Sequence, residues 1–359
     1  MHALKRFGTA FGGYKMMENY PVPECGPDDI ILEIKAAAIC GADMKHWGVD
    51  NGYDDTNITP DQQQSVRGHE FAGEIVKVGE NVKDWHIGQR VVSDNSAHVC
   101  GVCPACEQGD FLCCEHKVNL GLDNNTWGGG FSKYCKVPGE ILAIHKHAIW
   151  EIPEGVKYEE ACVLDPICNA YKAVAQQSHL IPGQDVVVFG TGPLGLFSVQ
   201  VAKLMGAVNI VMVGLDDDVK VRFGVAKELG ATHCVNGSKE DVVARCTEIC
   251  GRDNLGLVIE CSGANIALKQ AIEMTRPNAE IVRVGMGFKP LEFSINDITA
   301  WNKSIIGHMA YDSTSWRNCV RLLQSGQIKV QPMITHRLGL SQWQEGFDKM
   351  AKKEAIKVI

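Results

Sequence analysis

The sequence predicts an α/β protein of two domains, a β-rich portion followed by a doubly wound parallel sheet. Three observations predict it. The chain has 359 residues, more than one ordinary domain holds, and enough to bury substantial cores. Its first 155 residues carry short apolar runs broken by Gly and Pro. From Pro182 onward, short β-branched segments alternate with apolar helical ones. With 45% apolar and 22% charged residues, the composition excludes a disordered or fibrous chain.

In the first portion, runs such as IILEIKAAAI and EIVKVG suit strands joined by loops. After Pro182, DVVVFG reads as a strand, GTGPLG as a glycine turn, LFSVQVAKLMG as a helix and NIVMVG as a second strand. Together they make a βαβ unit, and the alternation continues through LGLVIECSG, ALKQAIEMTRPNA and EIVRVGMG. A parallel sheet with helices on both faces follows. We place the divisions at 1–155, 156–299 and 300–359. The last stretch lacks the alternation and is expected to rejoin the first domain.

A net charge of −8 gives no electrostatic ground for binding nucleic acid or an anionic membrane. The N-terminal residues lack the apolar core of a signal peptide, and no 18-residue apolar run occurs anywhere, so a cytoplasmic protein is expected. The cysteines are fifteen in number and five of them fall between Cys100 and Cys114. An odd count in a long chain argues against a disulfide framework, and the clustering argues for metal.

Gly190, Gly192 and Gly195 form G-x-G-x-x-G between a strand and a helix. The first glycine permits a tight turn, the second lets backbone approach a pyrophosphate, and the third lets helix pack on strand. Helix N-terminal amides would then receive the phosphate charge. The acid that should grip the adenosine ribose is displaced. Gly214 stands at the expected point, 19 residues beyond Gly195, and Asp216, Asp217 and Asp218 follow, with Lys220 and Arg222 close behind. Three carboxylates would repel a 2′-phosphate, which favours NAD, whereas the glycine and the two cations leave NADP open. Asp216 and Arg222 are taken as the ribose-end residues.

Cys100, Cys103, Cys106 and Cys114 are spaced C-x2-C-x2-C-x7-C in a lobe at about 95–115. Four thiolates fill a tetrahedral zinc shell and leave no open position, so this site is structural. Cys113 competes with Cys114 for the fourth place, and spacing favours Cys114. A looser set comprises Cys40 in CGAD, His69 and Glu70 in GHEFAGEI, and Asp165 in VLDPICNAY. A mixed thiolate, imidazole and carboxylate set suits a zinc ion that keeps a position for substrate. Two zinc ions per chain are expected.

Taken together, Cys40-Gly41-Ala42-Asp43, Gly68-His69-Glu70-Phe71-Ala72-Gly73, the four-cysteine lobe, Asp165-Pro166 and Gly190-Thr191-Gly192-Pro193-Leu194-Gly195 resemble the zinc-containing medium-chain dehydrogenases over nearly the whole chain. The resemblance implies a GroES-like catalytic domain closed by a returning C-terminal segment, a Rossmann cofactor domain, and a homodimer or homotetramer. It further implies that Cys40 and His69 ligate a catalytic zinc, that Glu70 ligates it directly or through water, and that Asp165 is a fourth ligand or a near neighbour. Asp43 follows the family position of an acid that orients His69. Pro193 and Leu194 belong to the cofactor turn with its glycines. Within the family, a carboxylate ligand and the GHE motif resemble the sorbitol dehydrogenase branch, which implies a polyol substrate oxidised to a ketose. Threonine, butanediol or a sugar-alcohol phosphate are the alternatives, and a catalytically silent nucleotide-binding zinc protein is the alternative of another class. One departure bears on mechanism. Ala42 replaces the Ser or Thr that begins a proton relay in many relatives, leaving Lys45 or His46 to take over. Trp47, Tyr53, His308 and Trp316 are candidates for lining the substrate pocket.

Overall fold

In a computed structural model of the protein, residues 1–6, 13–44, 47, 65–123, 127–287 and 289–359 are described. They form two compact units: Met1–Asp165 with Asp312–Gln324 and Ile334–Ile359, and Pro166–Tyr311 with Ser325–Met333. No helix among the described residues is long and apolar enough to cross a membrane.

The strands of the first unit are β1 (Ala3–Arg6), β2 (Tyr14–Met17), β3 (Ile30–Ala38), β4 (Glu70–Val78), β5 (Arg90–Ser93), β6 (Ser96–His98), β7 (Val118–Asn119), β8 (Tyr134–Val137) and β9 (Ile149–Glu151). Five of them make a sheet in the order β8-β3-β4-β5-β9, antiparallel throughout. Ile30, Leu32, Phe71, Ile75 and Val91 are buried in its core, alongside Cys135 and Ile149. Alternation along β3 and β4 directs these side chains to one face. Strand β4 runs close to β3: a Cβ on Gly73 would stand 2.4 Å from the Glu33 carbonyl oxygen. The register pairs Ala38 with Glu70. It therefore brings the end of β3, just before Cys40, to the start of β4.

The second unit holds β10 (Asp185–Phe189), β11 (Ile210–Gly214), β12 (His233–Asn236), β13 (Leu255–Glu260), β14 (Glu280–Arg283) and β15 (Ser304–Gly307). All pairings are parallel, in the order β12-β11-β10-β13-β14-β15. This is the doubly wound order 3-2-1-4-5-6, with its switch point between β10 and β13, where such sheets take a ligand beyond the strand carboxyl ends. β10, β11 and β13 are buried along their whole length, as expected of strands covered on both faces. Ser304–Gly307, which sequence pattern placed in the returning segment, instead extends this sheet as its sixth strand. At four residues, with Ser and Gly at its ends, it is too short to show a period.

The chain re-enters the first unit through the helix Ser313–Gln324 and then through β16 (Ile334–His336) and β17 (Lys357–Val358), which pair in parallel. Ile39 N–H donates to the Val358 carbonyl at 3.0 Å. That bond ties the returning segment to the end of β3, next to Cys40.

Candidate metal and nucleotide sites

Cys40 follows β3, Asp43 lies in the helical turn Gly41–Met44, and His69 and Glu70 open β4. Gly68, with φ +91°, makes the turn that precedes His69, and a Cβ there would meet the Phe131 ring and backbone at 2.7 Å. Only glycine fits so close an approach in that conformation. One ligand atom from each of Cys40, His69 and Glu70 lies within 4.8 Å of the others. Asp165 does not join that group; its carboxylate Oδ2 accepts from Asn95 Nδ2 at 3.0 Å. Asn95 is buried and held at φ +61°.

The surroundings test whether these residues fit a cation. Glu70 and Lys357 are 1% and 2% exposed, and Lys357 Nζ pairs with Glu70 Oε2 and donates to the Ile39 carbonyl at 3.1 Å. Burial works to lower the Lys357 pKa, but the Glu70 charge beside it carries it above the ordinary value. Glu70 Oε1, His69 Nδ1 and Asp43 Oδ1 are buried with no hydrogen-bond partner. Asp43 Oδ2 accepts from Cys40 N–H at 3.0 Å, and its Oδ1 lies 3.8 Å from His69 Nδ1. Burial, followed by the Glu70 charge, pushes the Cys40 thiol well above its usual pKa. A buried acid cluster of this kind asks for positive charge. A divalent ion fits the donor set, and its binding would release the thiol proton.

The second cluster is Cys100, Cys103, Cys106 and Cys114, again with sulfurs within 4.8 Å of one another. Cys100 and Cys103 lie 4.0 and 3.6 Å from the Cys106 sulfur, far beyond a disulfide bond. Backbone N–H groups, Val102 first, hold the Cys100 thiol at about 6. Cys113 is exposed and outside the group. The lobe is fastened to the sheet through Phe111, whose ring lies 4.1 Å from that of His145, and through a buried His145 Nε2 to Asp94 Oδ2 contact of 2.6 Å.

In the second unit Gly190 has φ +93°, and a Cβ on Gly195 would stand 1.8 Å from the Gly190 carbonyl oxygen. Gly192 caps the helix Pro193–Leu204, with Pro193 in its first turn, and a Cβ on Gly192 would meet nothing within 4 Å. That open space before a helix N-terminus fits a pyrophosphate. Asp216 is engaged by β12 and the residues that follow it. Its Oδ1 accepts from Asn236 Nδ2 at 2.7 Å and pairs with Lys239 at 3.2 Å. Arg222 Nη1 lies 3.5 Å from Thr191 Oγ1 and 3.3 Å from Asp218 Oδ1.

Lys45, His46 and Tyr53 lie outside the described residues. Trp47 joins Tyr14, Trp343 and Phe347 in an aromatic cluster, and Trp316 is buried against Trp150. His308 Nδ1 is 2.6 Å from Gln177 Oε1. Three residues absent from the sequence reading stand out: Lys357, Asn95 and Glu260. Glu260 is fully buried at the end of β13, and its Oε1 takes N–H bonds from Ser262 at 2.7 Å and Gly263 at 2.9 Å. The run ECSG could have drawn attention to Glu260; no local signal marks Lys357.

Two family profiles match the chain: the alcohol dehydrogenase GroES-like domain over residues 26–147 and the zinc-binding dehydrogenase over 193–325. The uncharacterized zinc-type alcohol dehydrogenase-like protein YdjL of Escherichia coli is 78% identical over 359 residues, covering 100% of this chain and 98% of the relative. The sorbitol dehydrogenase of Halalkalibacterium halodurans is 30% identical, covering 100% and 98%. Among solved structures, 2R,3R-butanediol dehydrogenase from Bacillus subtilis resembles the chain with TM-score 0.84 and 30% identity, covering 99% of this chain and 98% of that one. The chain therefore belongs to the zinc-dependent medium-chain dehydrogenases, NAD(P)-binding oxidoreductases of alcohols, on their sorbitol dehydrogenase-like branch.

Proposed function

We propose that the protein oxidises a secondary alcohol of a polyol to a ketone with NAD as acceptor. The observation that carries this reading is the cluster of Cys40 with the buried His69 and Glu70, whose mixed donors suit a catalytic rather than a closed zinc site. Zinc would supply Lewis acidity and the nicotinamide a hydride acceptor. The chain's own work is binding and positioning. Cys40, His69 and Glu70 hold the ion, Asp43 sets the His69 ring, and Asp165 stands ready as a near neighbour on the Asn95 amide. Gly190, Gly192, Pro193, Leu194 and Gly195 receive the pyrophosphate. Ala42 carries no proton, so we assign the proton route to Lys45 or His46. The four-cysteine lobe holds a second, structural zinc.

The test is nicotinamide reduction by the zinc-loaded enzyme across polyols, their phosphates, threonine and butanediol, with NAD and with NADP. Highest kcat/KM on an unphosphorylated polyol is expected, and Cys40→Ala or His69→Ala should abolish it while leaving the lobe zinc bound. No turnover across the panel, with metal near one equivalent per chain, would overturn the reading in favour of a silent nucleotide-binding protein. Highest kcat/KM on butanediol would move the substrate to that of the solved relative.

A further inference from the structure

The strand-end position from which an acid would ordinarily reach the adenosine ribose is sterically closed in this chain. A Cβ on Gly214, the last residue of β11, would stand 2.6 Å from the Thr191 methyl and 2.7 Å from the Phe223 ring. No side chain fits there without moving one of them. The same construction puts that Cβ 3.0 Å from Asp218 Oδ2. A carboxylate is therefore already present at the strand end, delivered from four residues further along.

The backbone that delivers it is the tight turn Asp216–Asp218. Asp218 folds back over the turn, Oδ2 accepting the Leu215 N–H at 2.8 Å, and its own N–H donates to the Leu215 carbonyl at 2.9 Å. Arg222 Nη1 holds Oδ1 at 3.3 Å and reaches Thr191 Oγ1 of the glycine turn at 3.5 Å. Asp218 is 5% exposed. Asp216 is half exposed and committed to Asn236 and Lys239.

The geometry points to Asp218, rather than Asp216, as the acid that accepts the ribose hydroxyls and excludes a 2′-phosphate. This rests on the nicotinamide reading above. Each Asp218 oxygen keeps a lone pair beyond the bonds it already accepts, so a vicinal diol can be bound without displacing Leu215 or Arg222. A 2′-phosphate at the same spot would meet a buried carboxylate whose one nearby guanidinium is already engaged. NAD is thereby favoured, and Arg222 becomes a phosphate ligand only when the Asp218 charge is removed.

The experiment is fluorescence titration of the zinc-loaded full chain with NADH and NADPH, in the wild type and in Asp218→Asn. Asn still accepts the Leu215 N–H, so a near-native thermal midpoint is expected. Loss of a charged hydrogen bond should weaken NADH about tenfold to a hundredfold, while NADPH tightens and the preference for NADH shrinks or inverts. On the wild type alone, ADP-ribose should displace NADH at least about tenfold better than 2′-deoxy-ADP-ribose or 2′-phospho-ADP-ribose. An unchanged NADH/NADPH ratio in Asp218→Asn, a shift produced by Asp216→Asn instead, or equal displacement by the three competitors would overturn the assignment. Failure of the wild type to bind either nucleotide would overturn the dehydrogenase reading itself, and this one with it.

Discussion

At the scale of residues, Glu70 is caught between two cations, Lys357 and the proposed metal. Removing Lys357 strands a buried carboxylate, which costs about 3–5 kcal/mol. Lys357→Met is therefore expected to destabilise the metal-free protein by about that much in urea unfolding. Zinc should raise its thermal midpoint more than it raises that of the wild type, because the metal becomes the remaining partner for the acid. Equal zinc-induced shifts in both proteins would show that Glu70 and the metal do not interact. His308 makes a separate prediction. Burial, with Lys172 adding to it, lowers its pKa to about 4 from the ordinary 6.5. The unfolded state thus takes up a proton near pH 6.5 that the native state refuses until about pH 4, so stability is lost as pH falls through that window. Between pH 7 and 5 the loss amounts to roughly 2 kcal/mol, and it should be absent from His308→Gln when both are compared by denaturant titration. The two kinds of residue also differ in how legible they are. Cys40, His69 and Glu70 announce themselves by donor type and by their neighbours in CGAD and GHEFAGEI. Lys357 does not, because a lysine in IKVI has no local peculiarity, and its pairing exists only once β17 lies beside the end of β3.

The cysteine lobe has only short helical pieces, Pro104–Glu107 and Phe111–Cys113, too short to be stable alone. Its shape must come from the four sulfurs and from the Phe111 and His145 contact. Cys103→Ser is expected to release one zinc per chain and lower the thermal midpoint by on the order of 5 °C or more, whereas Cys113→Ser should retain both metal equivalents. Metal analysis beside calorimetry decides it. Lobe and glycine turn were readable because fixed spacing encodes their geometry directly. The proposed ribose end is harder to read, since Asp216, Asp217 and Asp218 are alike in sequence. Only the fold of the turn separates the one facing Gly214 from the one facing Asn236.

For the whole molecule, β15 leaves the six-stranded sheet with a bare edge. Lys303, the cation that precedes it, is turned inward to the Ile272 carbonyl, and SIIG itself carries no charge. Ile305, Trp301 and Met309 are 36%, 51% and 47% exposed around it. An unprotected edge of this kind invites pairing, and a second copy of the same strand is a self-complementary partner. Ile305→Lys is expected to halve the mass seen by light scattering; an unchanged mass would place any subunit contact elsewhere. Alternating strands and helices made the parallel sheet legible, but its last strand was lost at the boundary because SIIG is too brief to carry a period.

The bond from Lys357 to the Ile39 carbonyl spans 318 positions of the chain. Ribosomal synthesis runs at about 5–20 residues per second, so the acid and the thiol emerge roughly 15–60 s before the lysine that completes their surroundings. The unit that begins the chain is accordingly finished last, after the nucleotide-binding unit has been made almost whole. For that interval, a metal ion held at the proposed site would neutralise Glu70 before Lys357 arrives, which would give zinc uptake during synthesis a head start over the ion pair.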